Sequence, residues 1–151
     1  MATVRTTIDR PADAVMAVLL DPMTYPRWLV GCKDIRSIDP EWPAPGSRFH
    51  HRFGVAGPIA VDDFSRVLAV QPRSCLRLEV RARPAGRGEA TFTVEALSPE
   101  RCEVELHEVP IGVLTPARPL LAPPTVQRNR KSLERLRAFV ESLPSGGRGP
   151  T

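Results

Sequence analysis

The sequence predicts an α+β fold: seven strands in one antiparallel sheet, two short helices after the first strand, and a long C-terminal helix. Three observations predict it. From Thr125 to Leu143, apolar Val126, Leu133, Leu136, Val140 and Leu143 recur at spacings of seven, three, four and three, which aligns them on one helix face. Upstream, between Thr3 and Val109, successive stretches alternate apolar and polar residues with the period of a strand, and short turns separate them. Consecutive strands joined by short turns form an antiparallel meander, whose apolar face needs cover, and only the terminal helix is long enough to supply it.

Each element has its own signal. Thr3 to Ile8 places Val4, Thr6 and Ile8 on one side of a first strand. Pro11 suits a helix's first turn, and Ala12 to Leu20 continues as a short helix with Val15 and Leu19 four apart. Asp21-Pro22 restarts the chain as N-cap and first helical residue, and a second short helix reaches Leu29 before Gly31 ends it. Lys33 to Asp39 reads as a strand, and Pro40 to Gly46 as a stiff connection whose P-x-x-P spacing needs no binding role. Ser47 to Phe53 puts Phe49, His51 and Phe53 on one face and Arg48, His50 and Arg52 on the other. Gly54 to Gly57 is read as a turn, Pro58 to Val70 as a long strand, and Gln71 to Ser74 as the next turn.

Leu76, Leu78 and Val80 then alternate with Arg77, Glu79 and Arg81. Pro84 to Gly88 is read as a hairpin tip. Ala90, Phe92 and Val94 mark the following strand, and Cys102 to Val109 the last. The five prolines between Pro110 and Pro124 argue against a regular helix there, so a folded-over approach to the helix is expected, covering a cavity mouth. Pro123 and Pro124 precede the long helix; Pro144 with Gly146 and Gly147 closes it. Residues 1–143 are expected to form one domain, and 144–151 a disordered tail.

Composition narrows the classes. Apolar content of 42% is ordinary for a globular chain. No apolar run approaches the length of about 18 residues that a membrane span needs, and the N-terminus lacks a signal-peptide pattern. Cys32, Cys75 and Cys102 are an odd number without metal spacing, which suits reduced thiols and a cytoplasmic location. The net charge of +4 is almost wholly arginine, interspersed with acids, so solvated charge rather than a nucleic-acid partner is expected.

The element order, with D-P-x-x-Y-P-x-W-L at Asp21 to Leu29, resembles the START/Bet v (SRPBCC) superfamily, in particular its bacterial polyketide cyclase/dehydrase branch. G-x-R-F at Gly46 to Phe49, P-R-x-x-L at Pro72 to Leu76 and N-R-x-S-L-E-R-L at Asn129 to Leu136 extend the resemblance over about residues 4 to 143. It implies a helix-grip fold, in which a curved sheet of seven strands wraps the C-terminal helix around a cavity. It also places Tyr25 and Trp28 near one end of that cavity. Members of the superfamily include lipid and hormone carriers as well as aromatic cyclases and dehydratases, so fold analogy alone does not choose a function.

The motifs of several enzyme classes are missing: no G-x-S-x-G elbow, P-loop, C-x-x-C or H-E-x-x-H occurs. His50 and His51 point to opposite faces of a strand and cannot share one metal, so no metal or cofactor is expected. The informative residues are polar ones on apolar strand faces, because burying an unpaired polar group is costly. His51 lies between Phe49 and Phe53, and Glu108 follows Val104 and Leu106. For the strand from Pro58 two registers stay open. Aligning Val67 and Pro72 by the family resemblance turns Val61, Asp63, Ser65 and Val67 inward. Counting back across a turn at Val55-Ala56 turns Asp62, Phe64 and Arg66 inward instead, and a bulge near Pro58 would reconcile the two.

The expected ligand-binding set is Tyr25, Trp28, Phe49, His51, Phe53, Asp63, Ser65, Leu78, Phe92, Glu108, Leu136 and Val140. The leading expectation is a carrier for a small hydrophobic or aromatic molecule, which needs a cavity and a few placed polar groups. The alternative is a cyclase or dehydratase in which His51 takes a proton, Asp63 or Glu108 orients it, and Tyr25 or Ser65 donates to an enolate oxygen. A protein-interaction role for the basic helix face has no specific support.

Overall fold

A computed structural model describes residues 2–56, 59–81, 87–111 and 118–144. The chain order is β1 (Ala2–Ile8), α1 (Ala12–Leu19), a 3₁₀ turn (Pro22–Thr24), α2 (Tyr25–Trp28), β2 (Cys32–Ile38), β3 (Arg48–Ala56), β4 (Ile59–Gln71), β5 (Cys75–Arg81), β6 (Arg87–Ser98), β7 (Arg101–Ile111) and α3 (Arg118–Ser142). The seven strands form one antiparallel sheet in the order β1-β7-β6-β5-β4-β3-β2. The meander therefore runs without interruption from β2 to β7, and β1 adds at the far edge, with Val4 opposite Leu106 and Ile8 opposite Cys102. The sheet curves around the terminal helix, which is the helix-grip architecture.

The alternation read from the sequence sets the two faces. Phe49, Leu76, Leu78, Ala90, Phe92, Val94, Val104 and Leu106 are all buried on the concave side. The convex side carries exposed arginines met by carboxylates, among them Arg52 to Asp62 at 3.3 Å and Arg66 to Glu79 at 3.2 Å. In the long strand β4, Asp63, Ser65 and Val67 are buried, so the register that turns them inward is the one adopted. The bulge expected near Pro58 lies in β3, between Gly54 and Ala56.

Several expected boundaries shift. Gly54 to Ala56 continues β3 instead of turning, and Arg87 and Gly88 already belong to β6. Asp21 caps as read, its carboxylate accepting from the Met23 N–H at 3.0 Å, but the first turn after it is 3₁₀. The largest difference is α3, which starts at Arg118, seven residues before Thr125. Pro119 sits in the first turn, where the missing N–H has no helical partner in any case, so proline is tolerated there; Pro123 and Pro124, expected to precede the helix, lie inside it instead, and each removes one helical N–H donor. At 25 residues the helix spans about 38 Å. The folded-over approach expected from Pro110 to Pro124 is helix from Arg118 onward; its residues 112–117 lie outside the described residues, as do 84–86 of the expected hairpin tip and the tail from 145.

α3 packs against β1, β7 and α2. Leu133, Leu136 and Val140 are buried there, each contributing about 1.5–3 kcal/mol of transfer free energy. Leu143, expected on the same face, is exposed at the helix end. That end is anchored by Glu141, whose carboxylate accepts from the Asp9 N–H at 2.9 Å. The helix thus leans on one side of the concave face. The inner surface of β3 to β6 is left to the two short helices and to a cavity.

Among the described residues no helix is long and apolar enough to cross a membrane, and no group of three metal-binding side chains occurs. All three cysteine thiols are free. Burial raises Cys32 to about 12, with Asp34 adding, and raises Cys102 to about 11, which keeps both protonated and unreactive.

Candidate functional site: a cavity between helix and sheet

The cavity encloses about 330 Å³ between the concave sheet and α3 at Thr125 to Asn129. Its apolar wall is built from Tyr25 and Trp28 of α2, Phe49 and Phe53 of β3, Leu78 and Val80 of β5, Phe92 of β6 and Leu106 of β7. The aromatic rings meet edge to face: Tyr25 to Trp28 at 5.1 Å, Tyr25 to Phe49 at 5.2 Å, and Trp28 to Phe92 at 5.8 Å between centroids. Such pairs contribute about 0.5–1.5 kcal/mol each beyond area burial and hold the wall in one shape. Gly31, Gly54, Gly88 and Ala90 complete it and leave room for an occupant.

The polar groups are few and unequal. Ser65 on β4 lines the cavity, and its Oγ lies 3.0 Å from Nε2 of His51. Glu108 of β7 and Arg128 of α3 both reach the wall and form an ion pair with each other. Thr125 and Asn129 add two more groups from α3. Asn129 is buried; its Oδ1 accepts from Nε of Arg128 at 3.4 Å, while its Nδ2 has no hydrogen-bond partner among the described residues. The helix is tied to the opposite rim by Ser132, whose Oγ accepts from the Val30 N–H at 3.0 Å.

Of the twelve residues expected to bind ligand, eight line the cavity: Tyr25, Trp28, Phe49, Phe53, Ser65, Leu78, Phe92 and Glu108. The other four stand behind it or away from it. His51 is fully buried, its ring packed 4.5 Å from Phe53 and 5.5 Å from Phe49, so the side chain the alternation aimed inward is covered by its neighbours. Asp63 lies opposite His51 in the strand pairing and forms an ion pair with Arg81 at 3.8 Å, toward the sheet's end. Leu136 belongs to the core, and Val140 borders a separate open groove beside Asp9, Arg10 and Arg101.

The expected chemical roles change accordingly. Burial lowers the His51 pKa to about 4 against the opposing pull of Asp63, so the imidazole is neutral and a weak base near pH 7. The Tyr25 hydroxyl donates to the Leu19 carbonyl, and burial raises its pKa above the ordinary phenol value. Its proton is therefore committed, and Tyr25 offers the cavity a ring rather than a donor. Glu108 is held by Arg128 and does not face His51 as an orienting carboxylate. The sequence reading missed Asn129, Arg128 and Thr125. The gap of seven between Val126 and Leu133 was the available signal, since Asn129 occupies the missing position of the apolar stripe.

The sequence matches the family described as polyketide cyclase / dehydrase and lipid transport over residues 1–141. The chain belongs to this family. No curated protein matches it. Solved structures share the family's fold at low identity. The Zhui aromatase/cyclase from Streptomyces sp. R1128 is 19% identical with a TM-score of 0.73, covering 93% of this chain and 92% of that one. The protein CV1439 from Chromobacterium violaceum is 21% identical with a TM-score of 0.66, covering 93% and 99%. The di-domain ARO/CYC StfQ from the steffimycin biosynthetic pathway is 14% identical with a TM-score of 0.73; the match covers 93% of this chain and 45% of that longer one. At these identities the likeness carries the helix-grip fold and not the chemistry.

Proposed function

We propose that this family member binds a small hydrophobic or aromatic molecule inside the cavity and carries or sequesters it. The observation that carries the reading is the wall itself: a concave, largely aromatic and aliphatic surface around about 330 Å³, with polar groups confined to a few positions. That volume lies at the lower end of ligand sites, so the occupant is compact. The eight wall residues expected from the sequence are proposed as ligand contacts. The paired charges on the convex face support reading the net positive charge as solvated, with no nucleic-acid partner proposed.

A second reading, a cyclase or dehydratase using acid–base chemistry, has one specific observation in its favour: the Ser65 hydroxyl stands on the wall with His51 behind it at 3.0 Å. A proton leaving a ligand would pass through Ser65 before reaching the imidazole. The low basicity of His51 and the committed Tyr25 proton weigh against efficient transfer, which ranks binding first.

An environment-sensitive apolar dye should bind one site per chain and be displaced by fatty acids or polycyclic aromatics. Failure of every such compound to displace it would remove both readings. Incubation with a poly-β-ketone chain and analysis of the products then separates them, because a carrier returns the chain unchanged.

A further inference from the structure

Asn129 interrupts the apolar stripe of α3 at the position between Val126 and Leu133, where a leucine would continue it. Its side chain is 2% exposed. Its Oδ1 faces the Arg128 guanidinium, a group that can only donate, and this fixes which way round the amide sits. The oxygen is occupied, so the NH₂ is the end left over, and it has no partner among the described residues although Asn129 lines the cavity. A buried donor without a partner is destabilising, and the cavity that Asn129 lines is a space from which an acceptor can arrive. Of the other polar wall groups, Ser65 is engaged with His51, Glu108 with Arg128, and Arg87 with Glu79.

We propose that Asn129 is the specificity-determining residue of the cavity, its Nδ2–H selecting apolar ligands that carry an accepting oxygen, such as a ketone or quinone carbonyl, over hydrocarbons of the same shape. The inference rests on the binding function proposed above and adds the ligand's chemical class. The mechanism is a difference in pairing. An empty cavity lets water accept from Nδ2, a carbonyl ligand takes over that role, and a hydrocarbon expels the water and strands the donor. Selection therefore comes from the penalty on the hydrocarbon as much as from the bond to the carbonyl.

The test uses two planar probes of nearly equal shape, fluorene and 9-fluorenone, titrated calorimetrically into the native chain, Asn129→Leu and Asn129→Ala. The native protein should bind fluorenone about tenfold or more tightly than fluorene, the ratio expected when one buried donor is paired or stranded. In Asn129→Leu that preference should fall to within about twofold, with fluorene bound as well as before or better. Urea denaturation of Asn129→Leu should show a midpoint at or above the native one, since a leucine of similar size continues the apolar stripe in place of a buried amide. A merely structural asparagine would instead lower the midpoint and weaken both probes equally. Asn129→Ala, which removes the amide without adding bulk, should also lose the preference. Equal native affinities for the two probes, or a preference that survives in both variants, would overturn the assignment while leaving the binding function intact. If the native chain binds neither probe nor any dye, the binding function falls, and the assignment with it.

Discussion

Replacing His51 with glutamine tests what its burial costs the protein in acid. The imidazole is 0% exposed, and its pKa drops from 6.5 to about 4 because charging it would place a cation among Phe49, Phe53 and Ser65, with only partial compensation from Asp63. The sign follows from proton counts. Between those two values the unfolded chain binds a proton at this residue and the folded chain does not, so acid favours unfolding. The stability at stake is fully present above pH 6.5 and is lost as the pH falls toward 4. At about 1.4 kcal/mol per pH unit, the gap is worth about 3 kcal/mol, of which about 2–3 kcal/mol is lost by pH 4.5. Glutamine cannot titrate and can still offer a hydrogen bond toward Ser65. Urea unfolding of both proteins at pH 7.5 and pH 4.5 isolates the residue, because the carboxylates common to both largely cancel. The native protein should lose about 2–3 kcal/mol more than His51→Gln over that range. Equal losses in the two proteins would refute the reasoning and mean that His51 is hydrated, or protonates without leaving its place.

Two further outcomes test the packing around the cavity. Leu136→Ala should lower unfolding stability by about 2–5 kcal/mol, read from the urea midpoint, because Leu136 is fully buried where α3 meets the sheet; a loss under about 0.5 kcal/mol would mean the helix does not carry the core. Gly88→Val should weaken aromatic ligands about tenfold or more while changing stability by about 1 kcal/mol at most, because a Cβ there meets the Val109 carbonyl at 3.3 Å and Glu108 Cγ at 3.7 Å and then projects into the cavity. Unchanged affinity would mean that the ligand does not reach the β6–β7 side of the space.

Much of this architecture was legible because its signals are local. Alternation separates the concave residues Leu76, Leu78, Ala90 and Phe92 from the arginines behind them, and Asp21-Pro22 marks a helix start by its own chemistry. Depth is another matter. Period two says which way His51 points, but whether it touches the cavity depends on Phe53 and Phe49 closing over it and on Ser65 arriving from another strand. Ser65 pairs directly with Phe49, and His51 with Asp63, so the Ser65–His51 contact is diagonal and depends on a register set by the β3 bulge. Tyr25 shows the same limit. Its ring is placed by the D-P-x-x-Y-P-x-W-L segment, but its hydroxyl is lost to a backbone carbonyl six residues back, which a residue pattern does not report. The start of α3 was hidden by its prolines: Pro119 stands in the first turn, where proline is tolerated, but Pro123 and Pro124 lie inside the helix against their usual meaning as helix breakers.

The position of Asn129 ties these observations to function. The C-terminal part of α3, with Leu133, Leu136 and Val140, seals the core against β1 and β7, where an unpaired polar group would be a defect. The earlier residues Thr125, Arg128 and Asn129 face the cavity, where a polar group can be satisfied by something that comes and goes. One continuous helix therefore presents two environments along a single stripe, and the change from one to the other falls at Asn129. On the sheet, Phe49, Leu78, Phe92 and Leu106 determine how much apolar volume an occupant may fill. On the helix, the unpaired amide determines what chemistry must sit at the end of that volume. A ligand that satisfies one without the other is penalised, either by unfilled apolar surface or by a stranded donor, and that is a physical basis for selectivity in a cavity with no metal, cofactor or charged ligand clamp assigned to it.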